Sequence, residues 1–291
     1  MTSVSKELSR LSIVAVVALH FVAGGAFAAD IFQATSGGAS GTDWNQGSQW
    51  TGGAVPTNGN NYVLYTNTSN NSTLSSYYGV SFGTGYIRTP VNGSASLFLG
   101  DTITVPPGTE ILLKESNGGS ASANIIFTNY NNVSATNLYP LVRLGPNTSG
   151  GTATLNGTVT NLVNSYVAND AGAAMTLNIA STVVGVSNLT LVSSVPGTAT
   201  TTFSSTRTNL VTGDWSGFSG TLNIGNSIVA GSVELNNSAV NVNMALAMPR
   251  ANGVLRLDKG ISVRIFTITN NVVAAGTYSP AQLAALGFGG T

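Results

Sequence analysis

Cysteine is absent from the 291 residues, and the single histidine, His20, lies in the first apolar stretch. A disulfide, a thiolate nucleophile and a cysteine-held metal are therefore ruled out. If the first residues are removed as a signal, the histidine goes with them. The Ser-His-Asp arrangement, an imidazole base and an imidazole metal ligand are then lost as well. Charge is almost as scarce, with ten Lys and Arg against ten Asp and Glu. No basic stripe is present, which argues against nucleic acid as a partner. Disorder is argued against by the 42% of apolar residues, most of them alternating with polar ones.

What is present begins with a targeting pattern. Lys6 and Arg10 precede the apolar run LSIVAVVALHFVAGG (11–25), and Ala26-Phe27-Ala28 carries small residues where signal peptidase needs them. Cleavage is expected after Ala28. The run is shorter than the roughly 20 residues that span a bilayer, so it reads as a signal and not as a retained anchor. Losing Lys6, Arg10 and Glu7 from the ten of each sign leaves eight basic and nine acidic residues. The expectation is an exported chain, extracellular or at the cell surface or in the periplasm, with no transmembrane segment after cleavage.

The remainder reads as short alternating segments. Examples are TITV (102–105), EILLK (110–114), ATLNGTV (153–159), MTLNI (175–179), TLNI (221–224), SVELN (232–236), AVNVNM (239–244) and VRIFTI (263–268). Apolar residues fill every second position and Asn, Thr or Ser the alternates, the period of a strand with one buried face. Leu222/Ile224, Val240/Val242 and Ile261/Val263 recur at about 20-residue intervals, with Val233/Leu235 and Leu255/Leu257 between them. Regular short strands without helices indicate a sandwich, a barrel or a stacked solenoid. The low charge and the abundance of Asn and Thr favour the solenoid, with Asn expected in left-handed corners or in stacked ladders. On that reading about ten coils are stacked at ~4.8 Å per strand.

Four stretches resemble secreted proteins with autotransporter-associated β-strand repeats, many of them found alongside PEP-CTERM sorting. These are WNQGSQWTGGAVPTNGNNYVLY (44–65), LVTGDWSGFSGTLNIGNSIVAGSVEL (210–235), GVLRLDKGISVRIFTITNNVVAAGTYS (253–279) and PAQLAALGFGG (280–290). The resemblance implies a right-handed parallel β-helix, exported, with a passenger-like or surface role and no catalytic residues to transfer. The family's membrane barrel and its Pro-Glu-Pro sorting tail have no counterpart in residues 1–291.

The expected organisation is an all-β chain: a signal (1–28), an N-terminal cap and first coils (29–95), a β-solenoid (96–278), and a C-terminal capping helix and tail (279–291). Ser279 suits a helix N-cap, Pro280 the first helical position, and Gly287 the end.

Candidate chemistry is thin. Trp44, Trp50 and Trp215 are the only tryptophans; exposed, they would stack on sugar rings, and buried, they would close coils. Asp214 and Glu234, 20 residues apart, are the carboxylates best spaced to meet on neighbouring coils, as a glycosidase requires. Arg207 near Asp214, or Arg256 near Asp258 and Glu234, would be the lyase equivalent. No cofactor and no metal site is expected. The leading expectation is a non-catalytic structural, adhesive or display protein. The alternative is a carbohydrate-binding module or polysaccharide lyase or hydrolase, and the expected partner is cell-envelope or extracellular polysaccharide.

Overall fold

The structure is a computed structural model that describes residues 28–34, 43–64, 85–90, 95–115, 118–129, 141–145, 150–171, 174–193, 206–236, 242–250, 252–257, 262–269, 271–274, 276 and 278–286. Alternation along these residues becomes strand. The first ten strands are β1 (Ala29–Phe32), β2 (Asn60–Val63), β3 (Gly85–Arg88), β4 (Ser96–Leu97), β5 (Thr102–Val105), β6 (Thr109–Leu113), β7 (Ser120–Phe127), β8 (Leu141–Leu144), β9 (Gly151–Asn161) and β10 (Ser165–Asn169). They are followed by β11 (Met175–Ile179), β12 (Thr182–Gly185), β13 (Leu189–Ser193), β14 (Thr208–Val211), β15 (Thr221–Ile224), β16 (Ser232–Leu235), β17 (Ala245–Met248), β18 (Val254–Leu257), β19 (Ile265–Ile268) and β20 (Asn271–Val273). The described chain ends in α1 (Pro280–Ala285). The expected signal lies outside these residues apart from Ala28.

The strands form two sheets. One runs β1-β2-β5-β7-β9-β11-β14-β16-β18, with β4 joined to β7 and β12 to β9; the other runs β3-β6-β8-β10-β13-β15-β17-β19-β20. From β5 onward the main path alternates between them, one strand of each sheet per turn of chain. Among the described residues every pairing between these strands is parallel except β19 with β20. This is the topology of stacked coils, consistent with a β-solenoid.

Register builds the core as columns along the stack. Ala121, Leu155, Ile179, Val211, Leu235 and Leu257 follow one another on six successive strands of the first sheet. Ile87, Ile111, Val142, Val167, Leu191 and Ile224 do the same on the second. All but Leu257, on the last strand, are buried. Burying each large aliphatic side chain stabilises the stack by about 1.5–3 kcal/mol, so the columns supply most of the cohesion of a chain with few charges.

The first sheet bends inside its longest strand, β9. Gly157 has φ +95°, and a Cβ there would lie 2.1 Å from the carbonyl oxygen of Ala123 on β7. Only glycine combines that backbone with that approach. One half of β9 pairs with β11 and the other with β12.

Three expectations are corrected here. Leu222 pairs with Leu246, 24 residues on; Val240 lies outside the described residues, and Val242 is 65% exposed, outside the strands. Alternation runs unbroken through 239–248, so periodicity alone does not locate the strand. None of the described Asn residues takes a left-handed corner: among the described residues the only non-glycine with positive φ is Thr269. Buried Asn side chains instead satisfy corner backbone. Asn169 Nδ2 donates to the carbonyls of Met175 (2.8 Å) and Thr208 (3.0 Å), and Asn209 Nδ2 to that of Val192 (3.0 Å). Most described coils are also longer than 20 residues, although Ala245 pairs with Ile265 at 20. Ile103 pairs with Ile125, Ile125 with Val159 and Leu177 with Asn209, because insertions between strands vary in length.

At the C-terminal end, α1 starts with a reciprocal cap. Gln282 N donates to Ser279 Oγ (3.3 Å), and Ser279 N donates to Gln282 Oε1 (2.7 Å). No helix among the described residues is long and apolar enough to cross a membrane.

Candidate functional site

The stretch 43–53, between β1 and β2, folds back on itself. Asp43 Oδ1 accepts from Asn45 N (2.8 Å), a 3-10 turn occupies Gly47–Gln49, and Gly52 and Gly53 take positive φ. This fold drives both indoles inward. Trp44 and Trp50 are 0% and 1% exposed. Trp44 Nε1 donates to Ser96 Oγ (3.0 Å). Trp50 stands edge-on to Tyr62 at 4.8 Å, and Tyr62 edge-on to Phe98 at 5.2 Å. The third indole, Trp215, is 1% exposed against Phe218 at 5.7 Å. None of the three presents a ring face to a saccharide.

Asp214 and Glu234 are not brought together. Glu234 lies in register between Leu210 and Arg256, whereas Asp214 follows the end of β14. Its carboxylate accepts from Ser216 N at 2.9 Å, and the hydrogen bonds from Ser216 hold it below the usual carboxylate range. Arg207 turns the other way and donates to the carbonyl of Ala171 at 2.7 Å. Arg256 is beside Glu234, and Asp258 lies outside the described residues. Among those residues no group of three His, Cys, Asp or Glu side chains is placed to hold a metal ion.

Charge gathers somewhere the sequence did not indicate. Arg143 on β8 donates through Nε to Glu110 Oε1 (2.9 Å) and through Nη1 to Asp170 Oδ2 (3.0 Å), bridging β6 to the end of β10. Both carboxylates are buried. Next to them, burial and the positive charges of Arg143 and Arg88 pull Lys114 below the ordinary lysine range, against the pull of Glu110. Glu115 is 1% exposed. Its Oε2 accepts from Thr89 Oγ1 at 2.7 Å, and its Oε1 has no hydrogen-bond partner. Burial raises its pKa to about 7 despite the bonds from Thr89 and Lys114. Chemically, this cluster pairs charge across three strands and holds one proton near neutrality. In sequence, Arg143 lies 33 residues from Glu110 and 27 from Asp170, separations that no constant repeat length would reveal.

An open groove of about 390 Å³ lies on the outside of the first sheet, lined by Asn58, Leu97, Phe98, Gly100, Asp101, Thr102, Ser122, Ala123, Asn124 and Gly157. It forms where β4 and β5 both pair with β7 and residues 98–101 bulge between them. Asn45 pins that bulge: its Nδ2 donates to the Leu97 carbonyl (2.7 Å), and its Oδ1 accepts from Leu99 N (3.1 Å). The sequence signal that pointed here was the stretch 44–50, through Asn45 and not through its tryptophans.

No protein-family model, curated protein or solved structure matches the chain.

Proposed function

We propose that the chain is an exported, non-catalytic β-solenoid, wound right-handed, that serves a structural, adhesive or surface-display role outside the cell. The observation that carries this reading is the outward row of hydroxyls on the first sheet. Thr152, Thr176 and Thr208, each half-buried, follow one another on three successive strands. Neutral side chains also link strand to strand: Thr212 Oγ1 donates to Asn178 Oδ1 (2.7 Å), and Thr102 Oγ1 to Asn61 Oδ1 (2.8 Å). Such a surface stiffens a rod without attracting ions or nucleic acid.

The ends fit the same reading. Exposed strand edges invite growth by another chain, and solenoids block them. In the Trp44–Trp50 fold, Trp44 N donates to the Arg88 carbonyl of β3 (2.8 Å) and Thr51 N to the Phe32 carbonyl of β1 (2.8 Å), which supports reading it as the N-terminal cap. The antiparallel β20 covers β19 at the other end, and α1 follows it. The resemblance to autotransporter-associated repeat proteins points the same way.

Two measurements test this. Residues 1–28 fused to a reporter should export it, and protease added to intact cells should reach the native protein. Retention of the reporter in the cytoplasm sinks the export half. Depolymerisation of any polysaccharide by purified protein sinks the non-catalytic half.

A further inference from the structure

We propose that the groove between the 98–101 bulge and β7 is a binding subsite for a neutral saccharide, with Asp101 and Asn124 taking sugar hydroxyls and Leu97 meeting the C–H face of a ring. The inference deepens the adhesive reading by giving it a partner class. Its test uses purified protein, so its failure leaves export and rod architecture standing.

The groove is built rather than incidental. Phe98 N donates to the Ser122 carbonyl (2.9 Å) and Asp101 N to the Asn60 carbonyl (3.0 Å). Asn124 Nδ2 donates to the Asp101 carbonyl at 3.1 Å, and Asn45 holds both sides of Phe98 as described above. The bulge is therefore fixed by backbone contacts on both flanks, and a ligand meets walls already in place. Gly100 allows this fit: a Cβ there would lie 2.4 Å from the Tyr62 ring. The aromatic cluster beneath thus sets the position of the bulge and reaches the groove through Phe98.

The lining selects the ligand. It holds one carboxylate, Asp101, two amides, two hydroxyls and no basic side chain. An acidic sugar would meet repulsion and no counter-charge. A neutral sugar offers hydroxyl donors to Asp101 and to the free Oδ1 of Asn124, and acceptors to Asn58 and Ser122. Leu97 is 60% exposed on the rim and the adjacent Leu99 46%, an aliphatic surface for the apolar face of a pyranose. The volume lies at the small end of ligand sites, room for one or two rings and not a long chain.

The full chain would be titrated by calorimetry and saturation-transfer NMR with cello-, malto-, xylo- and manno-oligosaccharides, and with oligogalacturonate as the acidic control. The expected result is binding of at least one neutral series and none of the acidic one. Asp101→Ala should weaken that binding at least tenfold. Ser122→Arg, which fills the groove from an outward position and faces Asp101, should abolish it at unchanged melting temperature. Should Asp101→Ala disturb folding, Ser122→Arg decides alone. The proposal is overturned if no neutral series binds, if the acidic control binds better, or if folded Ser122→Arg binds as the parent does.

Discussion

Trp50 Nε1 donates to the backbone carbonyl of Trp44 at 2.9 Å, so the two tryptophans form one folded unit. Each buries its ring, and the second ties down the backbone of the first. Trp50→Ala removes that bond, the contact with Tyr62 and a full aromatic volume. Truncating a buried large aromatic costs about 3–5 kcal/mol. Thermal unfolding followed by near-UV circular dichroism should show a clear drop in melting temperature. An unchanged melting temperature together with lost glycan binding would restore the indoles as a sugar platform.

Glu115 gives the fold a dependence on pH. Its folded pKa, about 7, stands above the ordinary 4.5 because burial disfavours the carboxylate. The folded state therefore binds the proton more tightly than the unfolded state. The stabilisation is full below about pH 4.5 and is lost as pH rises through 7. A shift of that size corresponds to something on the order of 3 kcal/mol at most. Glu115→Gln keeps the shape and cannot ionise. Urea midpoints of parent and variant should approach each other near pH 4.5, diverge as pH rises to about 7 and stay apart above it, with the variant the more stable. Parallel curves from pH 4 to 9 would place the titration elsewhere.

These features differ in how far the sequence announced them. Alternation identified the strands because the stack buries one face of each, and Ser279-Pro280 announced α1 because capping is local. Register is not local. A 20-residue repeat would set Asp214 beside Glu234, but the partner of Glu234 is Leu210, because the segments between strands set the length of each coil. The same variability hid the Arg143 cluster, whose members come from strands separated by unequal insertions. The groove was invisible for a different reason. It arises where β4 and β5 share β7 as a neighbour, a pairing that no single strand pattern encodes. Asn was legible as a corner residue, but its role lay in bonding and not in backbone conformation.

Arg143 is bonded to both Glu110 and Asp170. Arg143→Met removes the guanidinium from two buried carboxylates, and breaking a buried pair this way costs about 3–5 kcal/mol. Adding Glu110→Gln and Asp170→Asn to Arg143→Met removes the stranded charges and should recover most of the loss. Urea midpoints of the single and triple variants measure both steps. Recovery of nothing would mean that the guanidinium acts by packing and not by charge. Added salt should change the parent little, because the pair is shielded from solvent.

Gly157 and Gly52 both hold positive φ, +95° and +87°, but in different surroundings. A Cβ at Gly52 meets nothing within 4 Å, whereas at Gly157 it meets the Ala123 carbonyl at 2.1 Å. Gly52→Ala therefore carries only the left-handed backbone cost, about 1–2 kcal/mol. Gly157→Ala carries the same cost and must also push β9 away from β7, breaking ladder bonds on both sides of the bend. It should be the more destabilising by a margin of more than 1 kcal/mol in chemical denaturation. Amide exchange should rise on β7 and β9 in that variant and stay at parental levels there in Gly52→Ala. Equal losses in the two variants would mean that the sheet yields at its bend, and that the close approach of β9 to β7 is not what holds the first sheet in shape.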